Sequence, residues 1–544
     1  MTMRFPSLLY LVFAFSFFGC SGGSRSSTDP IINPSPGQPG SGLDVTTHHN
    51  DQARTSQNLN EATLTPSNVN VTHFGKTGFL PVDGKVDAQP LYLSKLNIPG
   101  KGTHNVLYIA TEHDSVYAFD ADNGTTLWKV SLLGANETTS DARNCSQVIP
   151  EIGITATPVI DRSRGPNGVI YVVAMSKNRT GTYFQRLHAL DVTTGAEVLG
   201  GPTNIQASFP GTGDNSSGGN VIFDPKQYAE RAGLLLLNGI LYTSWTSHCD
   251  IRPYTGWIIG FDASSLSRKS VLNLTPNGNE GSIWMSGAAP AADSAGNIYF
   301  LDANGTFDTT VNASGFPLHA NFGNSFLKLS TSAGLAVADY FAAFDTIQQS
   351  SVDGDFGSGG AMLLPDVSDS SGHVWHLAVG AGKDAKIYVV NRDSMGKFNP
   401  STNNIYQEIQ GALSGPVFSA PAYFNNSVYY GAVGDSIKAF SISNARLSST
   451  PSMQTSNRFP YPGASPAISA NGSSNAILWA AENGGTAILH AYDANNLSRE
   501  LYNSNQSGSR DQFGAGNKFI TPTVVNGKVY VGTTSGVAVF GLLH

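Results

Sequence analysis

The chain has 544 residues, of which 40% are hydrophobic and 13% charged, about half the charged share usual in soluble proteins. Lysine plus arginine total 31 against 39 acids, a net charge of −8, and no basic run is present to track a nucleic-acid backbone, so nucleic-acid binding is excluded. With 59 glycines and 28 prolines the composition suits short strands and turns, and it excludes both a disordered chain and one of long helices.

Residues 1–20 join one positive charge, Arg4, to an apolar run from Leu8 to Phe18 and predict a secretory signal, too short to span a membrane. The ending Phe17-Phe18-Gly19-Cys20 resembles a bacterial lipobox, in which the cysteine is lipidated; plain secretion is the alternative. The protein is therefore expected to be exported, as an envelope lipoprotein or a secreted or periplasmic protein, touching membrane only through a lipid anchor. Residues 21–59, which open rich in Ser, Gly and Pro, are expected to form a flexible tether. Cys145 and Cys249 are free to pair in an oxidising compartment, where a bridge would clamp consecutive units. No CxxCH occurs, which excludes covalent haem, and no Cys/His spacing suits zinc.

From residue 60 onward one pattern recurs. Short apolar strands end at Asp120, Asp191, Asp262, Ser330, Asn391, Ser441, Asp493 and Gly541, roughly 50 to 70 residues apart. Several follow a second strand, such as Val106 to Ala110 or Lys528 to Val531. Most units open with a small residue and proline, as in Thr157-Pro158 or Thr521-Pro522, where proline starts a strand without losing a ladder bond. Strands repeated at this interval predict an all-β domain over residues 60–544, an eight-bladed β-propeller with seven blades as the alternative. The last unit lacks an outer strand, and the stretch Val69 to Pro81 is expected to supply it and close the ring.

The segment Ala118-Phe-Asp-Ala-Asp-Asn-Gly-Thr-Thr-Leu-Trp128 resembles the tryptophan-docking motif of the quinoprotein propellers, with Asn123 in place of threonine. Ala189 to Gly195 matches again, with Leu199 where the tryptophan would stand. This resemblance implies the propeller fold and, in the family's enzymes, alcohol or sugar oxidation with pyrroloquinoline quinone (PQQ) and calcium. It implies pocket positions in chain order. Cys145 lies near the cysteine pair that stacks on the quinone, with Asn144 replacing its neighbour, and Trp284 resembles the tryptophan on the opposite face. Lys383 matches the lysine that contacts the quinone. Asp250, Asn304 and Asp353 are the implied calcium ligands, and Asp353 and Asp355, in Val352-Asp-Gly-Asp-Phe-Gly357, are the candidate catalytic acids.

Two readings compete. In the first, the chain is a PQQ- and calcium-dependent oxidoreductase in which a carboxylate takes the substrate hydroxyl proton as hydride passes to the quinone. In the second, it is a non-catalytic surface propeller whose long loops bind an envelope protein or a glycan.

Overall fold

In the computed structural model, which describes residues 43–543, each repeated segment is the third of four consecutive antiparallel strands in a sheet, and five of the eight sheets carry one further short strand. The first sheet comprises Leu91–Ile98, Gly102–Ala110, Ser115–Asp120 and Thr126–Ser131. Seven more of the same kind follow among the described residues, their first strands being Val159–Asp161, Leu235–Leu237, Ala291–Ala292, Met362–Leu363, Ala422–Phe424, Ala467–Asn471 and Thr523–Val525. Proline stands just before five of these first strands, as the unit openings predict. The outer strand of the eighth sheet comes from the far end of the chain, where Phe74–Pro81 pairs antiparallel with Gly536–Leu542. The signal, Cys20 and residues 21–42 of the expected tether lie outside the described residues.

The sheets hold one another through a device that repeats with the sequence. A tyrosine on a second strand donates its hydroxyl to the carbonyl just past the aspartate that ends the next sheet's third strand. Tyr108 reaches Val192 O at 2.9 Å, Tyr171 reaches Ala263 O at 2.5 Å and Tyr429 reaches Ala494 O at 3.1 Å. Tyr530 of the eighth sheet reaches Ala121 O of the first at 3.3 Å. Burial makes each bond more valuable, because a phenol left without a partner inside the protein costs about 1–3 kcal/mol. Between these bonds lie the apolar faces of neighbouring sheets; one cluster joins Tyr108, Val172 and Tyr530 from the first, second and eighth sheets.

Trp128 docks as its motif predicts. Its indole N–H donates to Val192 O at 3.1 Å, and the ring covers Gly195 of the second sheet. A Cβ on Gly195 would stand 2.6 Å from the indole, and its φ of +71 already disfavours a side chain. Gly195→Ala is expected to cost about 2 kcal/mol or more, read from the urea midpoint, because backbone strain and loss of the docked ring add.

The expectation of a tether as far as residue 59 is corrected from Val45 onward. Val45 exchanges two backbone bonds with Tyr92, Thr46 O accepts from Ile160 N, and the Gln52 side chain donates to Leu236 O. Gln52 O, Ala53 O, Thr55 O and Ser56 O accept from Ala292, Leu363, Tyr423 and Ile468 N, and Asn58 Nδ2 donates to Val524 O. Each partner is the second residue of a first strand, and the eight sheets are visited in chain order. The segment thus bonds to the backbone of all eight first strands and gives a partner to a buried edge group on each. The tether reading failed because no short motif marks these residues as ordered, and their partners in the sheets are spread along the whole chain.

Candidate functional site

Five of the sequence candidates meet in one network. The Trp284 indole N–H donates to Asp355 Oδ2 at 2.8 Å. Lys383 Nζ lies 2.5 Å from Asp353 Oδ1 and 3.7 Å from Asp355 Oδ2, and Asn304 Nδ2 donates to Asp353 Oδ1 at 2.9 Å. Loops of two sheets supply these groups. Asn304 follows the second strand of the fourth sheet, Lys383 follows that of the fifth, and Trp284 and Asp353–Asp355 lie in the approaches to the two first strands.

The glycines of the Val352–Gly357 motif explain the assembly. A Cβ on Gly357 would stand 2.5 Å from Ala303 N, so glycine lets this loop lie against the backbone next to Asn304. Gly382 plays the same part opposite Phe356 O, bringing Lys383 against Asp355. Trp284 is aimed by a strained turn. Met285 and Ser286 take φ of 40 and 51, a left-handed pair secured by the Ser286 hydroxyl, which donates to Ser358 O at 2.6 Å.

The two aspartates differ in environment. Asp353 is exposed, whereas Asp355 is buried at 4% exposure. Burial pushes the Asp355 carboxyl up to about 6, with the Lys383 charge and the Trp284 N–H pulling back. Its Oδ1 is buried and has no hydrogen-bond partner among the described residues, as is also true of Asn304 Oδ1. The neighbouring Asp302 is wholly buried, and that burial pushes its carboxyl well above the usual carboxylate range.

Asp250 is held within its own loop, accepting from Ser247 Oγ at 3.0 Å and Tyr254 OH at 2.8 Å, and acts on Asp355 and Lys383 through its charge. Of the three expected calcium ligands, Asn304 and Asp353 therefore touch. Among the described residues no three His, Cys, Asp or Glu side chains gather as a metal group. Cys145 is joined to Cys249, next to Asp250, with Cα atoms 5.5 Å apart. The bridge ties a loop whose neck is closed by Ser140 and Ile152, and whose Gln147 accepts from Lys518 Nζ at 2.6 Å. Since it closes a separation of 104 residues, replacing both cysteines by serine is expected to cost about 2–4 kcal/mol in denaturant unfolding.

Aromatic residues absent from the sequence reading complete the surroundings. The rings of Phe418 and Phe519 each lie 6.0 Å from Trp284, and Tyr461 lies 5.6 Å from Phe418. Arg231, Phe418 and Phe519 each stand four residues before a first strand, a register that a comparison of the repeats with one another would have exposed.

The fold is that of quinoprotein dehydrogenases. The chain is similar to the quinohemoprotein alcohol dehydrogenase of Comamonas testosteroni, at 13% identity and a TM-score of 0.59 over 92% of this chain and 80% of that one. The quinohemoprotein alcohol dehydrogenase ADHIIG of Pseudomonas putida HK5 matches at 13% identity and a TM-score of 0.56, over 92% and 80% of the two chains. A europium-containing methanol dehydrogenase matches at 12% identity and a TM-score of 0.55, over 92% and 98%. No family model and no curated protein matches the sequence.

Proposed function

We propose that the eight sheets are blades of one closed propeller, and that the protein is an exported, PQQ- and calcium-dependent oxidoreductase of an alcohol or sugar. The observation that carries the activity is Asp355, a buried carboxyl with one oxygen committed to Trp284 and the other free. Closure is supported by the Tyr530–Ala121 bond, the Phe74–Pro81 pairing and the segment that visits the sheets in order. Export is supported by the Cys145–Cys249 disulfide, which persists in oxidising compartments.

The residues present fit the cofactor. Trp284 offers a half-buried ring, Lys383 a cation, and Asn304 Oδ1 a buried oxygen without a partner, a hard donor of the kind calcium takes. Calcium takes about six to eight oxygens, so the cofactor and water would complete most of its shell, and Asp355 Oδ1 stays free for the proton. PQQ, when bound, supplies the acceptor for a hydride.

This chain's own residues then manage the proton. The Trp284 N–H fixes Asp355 so that Oδ1 is the oxygen that receives the substrate hydroxyl proton. Lys383 keeps the carboxylate charged near neutrality and offers positive charge to an oxygen that gains electrons. Because the base form is required and the carboxyl titrates at about 6, kcat/KM is expected to rise with pH and level off above that value.

Calorimetric titration of PQQ into the full chain with calcium, then with chelator, tests the reading. Micromolar or tighter, calcium-dependent binding is expected. Folded protein that binds no PQQ would overturn it, and would leave the axial end as a recognition surface for an envelope protein or glycan.

A further inference from the structure

Between the second and third sheets lies a groove of about 430 Å³ that shares no residue with the Trp284–Asp355 network. Three stretches wall it. Tyr183–Gln185 open the second sheet's third strand, Asn204–Gln206 run off its outer strand, and Asp224–Lys226 lead into the third sheet. The outer strand pairs with Arg186 and Leu187 alone, which leaves Tyr183 and Phe184 beyond the end of the ladder on that side. Both rings are fixed in advance. The Tyr183 hydroxyl donates to Asp141 Oδ2 at 3.1 Å. Arg186, held by Glu137 at 2.6 and 2.7 Å, lies over one face of Phe184, 4.2 Å from the ring centre.

The polar groups of the groove call for two kinds of partner. Gln185 is 1% exposed, and its Nε2 donates to Pro225 O at 3.2 Å and Tyr228 O at 2.6 Å. With both N–H donors spent, Oε1 is a buried acceptor with no partner among the described residues. A ligand that brings a donor, such as a hydroxyl, satisfies it. The rim carries the opposite demand. Lys226 Nζ lies 5.5 Å from the Tyr183 ring centre, and Arg143 and Arg268 donate to Lys226 O and Gln206 O. None of these three cations forms an ion pair among the described residues, and Asp224 is the one carboxylate in the lining. In a chain of net charge −8 this is a local positive excess.

We propose that the groove binds an acidic polysaccharide, one uronate sugar of which rests against Tyr183 and Phe184. A uronate joins the three properties that the groove asks for. Its C–H face suits an aromatic ring, its hydroxyls supply the donor for Gln185 Oε1, and its carboxylate meets Lys226. An acidic peptide offers charge without a hydroxyl-bearing ring, and a neutral sugar offers hydroxyls without charge. Rings held before the ligand arrives lower the ordering cost of binding. Neither PQQ nor turnover is needed, so the proposal stands apart from the redox reading.

The test is calorimetry on the full chain with hexasaccharides of galacturonate, alginate and hyaluronate. Maltohexaose serves as the neutral sugar, and hexaglutamate as the acid without sugar rings. At least one acidic hexasaccharide is expected to bind at least about tenfold more tightly than either control. Lys226→Gln and Tyr183→Ala are each expected to weaken that binding about tenfold, with folding checked by circular dichroism. Lys226 is exposed, so its variant keeps the test decisive if Tyr183→Ala misfolds. The proposal is overturned if none of the three acidic hexasaccharides binds, or if either control binds as tightly as they do. Binding that Lys226→Gln leaves unchanged overturns it as well.

Discussion

Arg54→Ala is expected to cost about 3–5 kcal/mol of folding stability, and a chain beginning at residue 60 to lose cooperative unfolding altogether. Arg54 has no exposed surface and sits in the segment that touches all eight sheets. Its guanidinium donates to Pro290 O at 2.9 Å, Thr47 Oγ1 at 2.8 Å, His48 O at 2.9 Å and Asp51 O at 3.0 Å. Truncation removes the donor to Pro290 O, Thr47 Oγ1 and His48 O, leaves Asp51 O only its bond from the backbone N–H of residue 54, and opens a void in the buried segment. His48 and His49 stack beside it at 4.2 Å, and burial holds both well below the usual histidine range, so they stay neutral and do not compete with its charge. Urea unfolding of the full chain measures the effect. A loss below about 1 kcal/mol would mean that the sheets hold together without the central segment.

Asp355→Asn is expected to lower kcat by about a hundred- to ten-thousandfold, the usual share of a positioned general base, with PQQ affinity little changed. The same substitution is expected to stabilise the protein. The carboxyl titrates at 3.8 when unfolded and at about 6 when folded, because burial opposes its charge. Between those values the unfolded chain has released the proton that the folded chain retains, so stability falls as pH rises and stays lower above 6. An amide carries no such cost, and the variant should gain about 2–3 kcal/mol at pH 7, a gain that vanishes below about pH 4. Lost turnover with gained stability is the signature of a group kept for chemistry. Unchanged turnover in a folded, PQQ-loaded variant would remove Asp355 from the mechanism.

The candidate network was legible because short motifs place their residues. Val352 to Gly357 carries two acids interleaved with glycines; Gly357 lets the loop lie on Ala303, and Gly382 lets it pass Asp355 and Phe356. The aromatic and cationic neighbours were missed because no motif marks them. Arg231, Phe418 and Phe519 lie far apart in the chain and share only a register relative to a first strand, which becomes visible once the strands are placed. Asp250 was placed near the network, but its hydroxyl partners Ser247 and Tyr254 hold it within its own loop.

By itself, the sequence determined the strands and their repetition. All eight repeated segments are third strands, and Trp128 docks where its motif places it, because alternation, turn residues and a local Asp-to-Gly turn act over a few residues. The tertiary structure alone decided the place of residues 45–58. Val45 to Asn58 contains little that marks a buried strand, and it is ordered because the first strands of eight sheets offer it backbone partners. The same holds for Asp355, whose raised carboxyl reflects burial under residues from other sheets. Local patterns specify elements, whereas burial and the satisfaction of buried polar groups depend on contacts hundreds of residues apart.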